Sequence, residues 1–241
     1  MAEHRQSVQG HLAVAQSLPS GSVRPVEGLE KPYGVTVVQD SLFYAVSKRL
    51  VDIVLGTVAL LIFSVPMILI ALAIKLTSRG PIIYRQTRVG RGGRHFTFYK
   101  FRSMVVGAEE MLDQIRHTNT TNGPTFKNPN DPRVTPVGRF LRRTSLDELP
   151  QLLNVLRGDM SLVGPRPPLP SEVEEYGEVE LRRLSVTPGI TCLWQINGRS
   201  QLPFDRQVEL DLEYIMKRSF WLDLLILLRT IPAVLTCRGA C

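Results

Sequence analysis

Apolar residues run without a charged side chain from Ile53 to Ile74. At about 1.5 Å of rise per residue, a helix over this run reaches roughly 33 Å, long enough for a hydrocarbon core. Pro66 interrupts it, because its ring lacks an N–H and clashes with the carbonyl of Ile62, which predicts a kink or a break there. Lys48 and Arg49 precede the run, while Lys75, Arg79, Arg85 and Arg88 follow it. Basic flanks favour the cytosol, so the pair predicts a hairpin that enters and leaves by one face, whereas length alone permits a kinked span. Ser64 is placed to bond a carbonyl freed near the break.

Beyond the run the period changes. Phe96 and Phe98 alternate with Thr97 and Tyr99 at the period of a strand, and residues 81–104 read as a basic β-hairpin around a Gly-rich turn. Residues 106–117 have helical composition, and the Asn, Pro and Gly of 118–133 predict a long loop. Leu152, Leu153, Val155 and Leu156 give an apolar face to a short helix that starts at Pro150 and stops at Gly158. The stretch from Gly189 reads as extended, and a long helical pattern begins at Asp205. Asp223, Arg229 and Pro232 interrupt the last apolar segment, which reads as an interfacial helix, or one packed under the domain, with Trp221 at headgroup level. Residues 1–42 carry few large apolar side chains and predict a flexible tail. The organisation expected is this tail, a membrane element over 43–76 and one domain over 77–241, α+β and mostly helical.

The net charge of +7 is localised: eight residues between Lys75 and Ser103 are Lys or Arg, and none is acidic. Beside a membrane exit, each such residue contributes about 1 kcal/mol of attraction to an anionic leaflet. The spacing "RQTRVGRGGRHF" matches no helix-turn-helix, zinc-finger or RNP pattern, so nucleic acid is not the expected partner. Cys192, Cys237 and Cys241 lack CxxC spacing, and the four histidines are scattered, which argues against a disulfide framework or a zinc site. The first forty residues lack the order of a cleavable signal, so the apolar run reads as an internal anchor.

The densest chemistry lies in "TSLDELPQ", where Asp147 and Glu148 are adjacent. One reading is a capping box from Ser145 to Glu148. The other places both carboxylates just ahead of a helix starting at Pro150, because a proline five residues past Ser145 opposes the carbonyl of Leu146. Arg139, Arg142 and Arg143 precede the pair, and Arg157 and Arg166 follow it, a surround that favours ionised Asp147 and receives phosphoryl oxygens. Arg166 stands in "GPRPP", where prolines stiffen the backbone that carries its guanidinium.

From Lys48 onward the chain resembles the bacterial sugar transferases, the monotopic polyprenyl-phosphate phosphoglycosyl transferases. The blocks "SKRLVDIVLG", "YRQTRVGRGGRHFTFYKFRSM", "DPRVTPVGRFLRRTSLDELPQLLNVLRGDMSLVGPRP" and "TPGITCLWQINGR" follow in that family's order. The resemblance implies a monotopic domain with a re-entrant helix broken at Pro66. It implies a catalytic pair at Asp147 and Glu148, phosphate-handling residues at Lys100, Arg142 and Arg166, and Mg²⁺ near Asp147. The substrates it implies are a nucleoside diphosphate sugar and polyprenyl phosphate, met at the cytosolic face of the bacterial inner membrane among its phospholipids, with a homodimer allowed. Two positions depart from the family's pattern: Val65 stands where a serine is frequent, and Cys192 where a glycine is usual. The rivals are a glycosyltransferase releasing UDP, against which stands the lack of a D-x-D or a repeated βαβ pattern, and a non-catalytic membrane scaffold of an assembly complex.

Overall fold

The computed structural model describes residues 32–120, 123–126 and 128–236. Most of the segment read as a tail therefore lies outside the described residues, as do Cys237 and Cys241. The described end of that segment is packed. Val35 is buried, Val38 N donates to the carbonyl of Ser185, and Arg218 bonds Asp40.

Ser41 caps α1 (Leu42–Ile62) by accepting a hydrogen bond from Tyr44 N. A second helix, α2 (Ser64–Thr77), leaves it at 58°. Among the described residues no single helix is long and apolar enough to cross a membrane. The turn falls at Phe63, three residues before the expected Pro66. Pro66 occupies the third position of α2, where a backbone N–H has no intrahelical partner, so the proline begins a helix and the bend precedes it. Ser64 Oγ donates to the carbonyl of Leu61 at 2.8 Å, as expected, and the departure at Val65 leaves that bond intact.

The first turns of α1 are held to the rest of the chain by polar bonds. Lys48 Nζ reaches Asp223 Oδ2 at 2.8 Å and the carbonyl of Val163 at 2.9 Å. Arg49 donates to the carbonyls of Val155 and Leu156 at 2.6 and 2.7 Å, capping the end of another helix. Asp52 accepts from Ser161 Oγ and Leu162 N. Beyond Asp52, both arms expose apolar side chains, among them Leu61, Ile62, Val65, Ile68, Leu69 and Leu72.

The expected hairpin is present as antiparallel β1 (Ile83–Val89) and β2 (His95–Phe101), with Tyr84 opposite Lys100. Its basic residues do not form one solvated face. Arg88 and Arg102 are buried, and Arg102 donates to the carbonyl of Ser78, tying the hairpin to the end of α2. A short α3 (Leu112–Ile115) is all the α-helix within 106–117. The loop that follows leads to α4 (Pro136–Thr144), capped by Thr135, and a 3₁₀ turn over Leu146–Gln151. Then come α5 (Leu152–Arg157), β3 (Ser161–Val163), α6 (Pro170–Glu174), α7 (Glu178–Leu181) and β4 (Gly189–Thr191), the last parallel to β3. The extended stretch expected from Gly189 is present through Cys192, and a one-turn α8 (Leu193–Ile196) then ends it. Helices α9 (Phe204–Lys217) and α10 (Phe220–Leu235) complete the fold, α+β and mostly helical.

Phe98, Leu152, Val155, Met160, Val163, Tyr214 and Ile226 form the main core, drawn from β2, α5, β3, α9 and α10. Cys192 is buried with extended backbone (φ −155°), a conformation any residue adopts, so replacing the usual glycine there requires no strain.

Candidate active site

Helix α5 begins at Leu152, two residues later than expected, and Pro150 lies inside the preceding 3₁₀ turn. The capping box does not form. Ser145 is left-handed (φ 58°), ends α4 with its N–H on the carbonyls of Leu141 and Arg142, and gives its hydroxyl to Arg199 Nη2 as an acceptor at 3.0 Å. Arg199 is also left-handed (φ 53°). Such conformations cost non-glycine residues about 1 kcal/mol or more, and the bond between the two fixes Ser145 just ahead of Leu146 and Asp147.

Strand β2 runs beside the 3₁₀ turn. Asn154 pins the two together, accepting from Tyr99 N at 3.2 Å and donating to the carbonyl of Thr97 at 2.7 Å. Lys100 is thereby brought to the carboxylate pair: its Nζ lies 3.2 Å from Glu148 Oε1 and 3.6 Å from Asp147 Oδ2. Arg166 Nη1 lies 3.4 Å from the same Glu148 oxygen. The turn that carries Arg166 is fixed on two sides. Gly189 N donates to the carbonyl of Pro165, and Arg88 Nη1 and Val89 N donate to those of Pro167 and Pro168. A Cβ on Gly189 would lie 2.1 Å from Gly164 N, so only glycine allows this approach.

Asp147, Glu148, Lys100, Arg142 and Arg166, singled out in the sequence, all line one cavity of about 470 Å³. Pro66 does not line it. Phe63, at the helix break, does. Arg139 and Arg143 point outward, and Arg157 bonds Tyr99. The cavity also takes in residues that sequence reasoning did not single out: Arg133, Arg183 and Arg199, with aromatic Phe126, Tyr176, Trp194 and Phe204. Arg199 stands in the quoted block "TPGITCLWQINGR", but nothing in its spacing reveals the bond to Ser145.

The two carboxyls differ. Burial alone would raise Glu148, but the charges of Lys100 and Arg166 outweigh it and bring the pKa down to about 2. Burial raises Asp147 above the usual carboxylate range; Lys100 opposes this, and the neighbouring Glu148 charge adds to it. The expectation of an unusually acidic Asp147 is therefore corrected: it is almost fully enclosed and has a single close cation. Among the described residues no three His, Cys, Asp or Glu side chains converge as metal ligands. With Glu148 held by two cations, the donor at the cavity is the Asp147 carboxylate, a hard oxygen ligand of the kind that suits Mg²⁺ when phosphate oxygens complete the shell.

A model of the family described as "Bacterial sugar transferase" matches residues 43–237. The exopolysaccharide production protein ExoY of Rhizobium meliloti is 39% identical over 225 residues, 92% of each chain. Galactosyl transferase CpsE of Streptococcus agalactiae is 48% identical over 82% of this chain, and the undecaprenyl-phosphate galactose phosphotransferase of Salmonella typhimurium is 46% identical over 80%. This chain spans only 44% and 41% of those two proteins. With most of its length matched, and with a relative similar from end to end, the chain belongs to the bacterial sugar transferase family.

Proposed function

We propose that the protein transfers a sugar-1-phosphate from a nucleoside diphosphate sugar, UDP-linked, to polyprenyl phosphate, releasing UMP, as the first membrane step of exopolysaccharide or related glycoconjugate synthesis. The observation that carries this reading is the placement of Asp147 in a cationic cavity whose wall includes the helix break at Phe63. Substrates of opposite solubility meet there. The printed names of relatives support it, among them a UDP-glucose:undecaprenyl-phosphate glucose-1-phosphate transferase of Escherichia coli.

Asp147 is the nucleophile. Glu148 is engaged by two cations and Asp147 by one at a longer distance, so less positive charge is drawn to the Asp147 carboxylate, and its raised pKa makes it the more basic of the two. An oxygen of Asp147 bonds to the phosphorus that carries the sugar, the bond to the UMP oxygen breaks, and UMP leaves with the electron pair. An oxygen of the lipid phosphate then bonds to that phosphorus and returns Asp147 as a carboxylate. Lys100, Arg142 and Arg166 offset the repulsion among these anions and the charge developing in flight. Mg²⁺ held by Asp147 and the substrate phosphates would supply further charge neutralisation. Glu148 holds Lys100 and Arg166 in place.

The membrane element acts as a re-entrant wedge. Past Asp52, each apolar arm of α1 and α2 measures only about 15 Å, half a hydrocarbon core, and both arms lead back to residues bonded into the domain. That geometry suits entry from, and return to, the cytosolic face. The test is to incubate purified protein in lipid with labelled UDP-sugars and polyprenyl phosphate. Lipid-linked product with UMP is expected; UDP as the leaving group would make it a glycosyltransferase, and turnover by Asp147→Asn would remove the covalent step.

A further inference from the structure

The cavity wall changes character along its length. The helix break and the last turns of α10 contribute Phe63, Ala233 and Thr230, and the carboxylate pair sits with its cations. A third group has no part in the chemistry above: Tyr176, Arg183 and Phe204, with Trp194, Gln195 and Gln207. It is carried by the residues after α6, the turn after α7, α8 and the start of α9.

This group is built and rigid. The Arg183 guanidinium lies 5.7 Å from the Tyr176 ring centroid and 5.8 Å from that of Phe204. The two rings stand 5.9 Å apart and tilted by 42°. Asp211 accepts from Arg183 Nε and Nη2 at 2.9 and 2.8 Å, and Arg183 Nη1 donates to Tyr176 OH at 2.9 Å, so each nitrogen of this buried guanidinium is held within the wall. It fixes the rings. Gln207 Nε2 donates to the carbonyl of Leu202, leaving the amide oxygen as an acceptor, and Gln195 adds a second amide. Flat aromatic surface beside amide groups matches a planar heterocycle with an N–H and C=O edge, and matches neither a sugar phosphate nor an isoprenoid chain.

We infer that the chamber formed by Tyr176, Phe204, Trp194, Gln195 and Gln207 receives the planar base of the sugar nucleotide, with the diphosphate lying toward Lys100, Arg142 and Arg166. This rests on the proposed substrate class and adds which end of the cavity each part of the donor occupies. Recognition of the nucleotide is then separate from the reacting carboxylate, and separate from the lipid acceptor.

The experiment compares UMP with ribose 5-phosphate, which lacks the base, by titration calorimetry on the full chain in nanodiscs. The wild type and Asp147→Asn are expected to bind UMP more tightly than ribose 5-phosphate. In Tyr176→Leu the preference for UMP should fall about tenfold, with a matching rise in KM for the sugar nucleotide and little change in KM for polyprenyl phosphate. Gln195→Ala, a half-exposed site that tolerates truncation, should weaken UMP and spare ribose 5-phosphate; Tyr176→Phe should retain the preference. An unchanged preference in both Tyr176→Leu and Gln195→Ala, with circular dichroism showing folded protein, overturns the assignment. Failure of the wild type to bind UMP overturns the proposed function along with it. Turnover by Asp147→Asn with UMP preference intact removes the covalent mechanism and leaves the chamber standing.

Discussion

Asp131 and Asp147 line the same cavity and each exposes little surface, yet Asp147 lies deeper and their surroundings are opposite. Asp131 receives both Nε and Nη2 of Arg133 and its backbone N–H, while Arg133 Nη1 donates to the carbonyl of Ala108. Burial alone would raise Asp131, but the bonds and charge of Arg133 outweigh it and hold the carboxyl below its usual range. Asp147 has one ammonium at 3.6 Å and an acidic neighbour, and burial prevails. The same two ingredients, a carboxylate and a cation, thus serve in one place to close a loop and in the other to leave a carboxylate with acceptor capacity unfilled. Depth of burial and saturation of the hydrogen bonds together separate the two.

The sharpest way to break this comparison is to remove each acid's function in turn. Asp147→Asn should lower UMP release by at least about a thousandfold without loss of fold, measured by turnover and by thermal denaturation. Arg133→Met should do the reverse in kind, costing about 3 kcal/mol of stability by leaving Asp131 buried and uncompensated, read from denaturant titration. A retained melting temperature in that variant would erase the distinction. Lys100→Met sharpens it through pH. In the proposed mechanism Asp147 reacts as the carboxylate; Lys100 lowers its pKa, and so the variant should lose activity at a higher pH on the acid limb than the wild type does. A limb that stays in place, measured in a rate profile, would detach Lys100 from Asp147. Arg49→Met tests the mounting of α1, with about 1–3 kcal/mol lost as two helix-end carbonyls lose their donors. Val65→Ser restores the serine frequent in the family at an exposed site and should change stability by less than about 0.5 kcal/mol.

Several of these features were legible in the chain. The hairpin follows from Phe96 and Phe98 alternating with polar neighbours, and the bend from a proline in an apolar run. Both depend on local sterics and period, which sequence carries directly. Boundaries were less legible. Pro66 signals a helix interruption but not on which side of itself the axis turns, and Pro150 proved compatible with the interior of a 3₁₀ turn. The basic stretch between Lys75 and Ser103 reads as attracted residue by residue to an anionic leaflet, although Arg88 and Arg102 turn inward to bond carbonyls distant in sequence.

The order of residues by itself determined that an acidic pair would sit among arginines beside a short helix, and that a broken apolar segment would precede them. Only the tertiary structure decided that Glu148 takes two cations and Asp147 one at a longer distance, that Arg199 braces the turn ahead of them, and that an aromatic group faces the same space. Those outcomes depend on distances between segments up to about a hundred residues apart and on how far each group is withdrawn from water. Local propensity contains neither quantity.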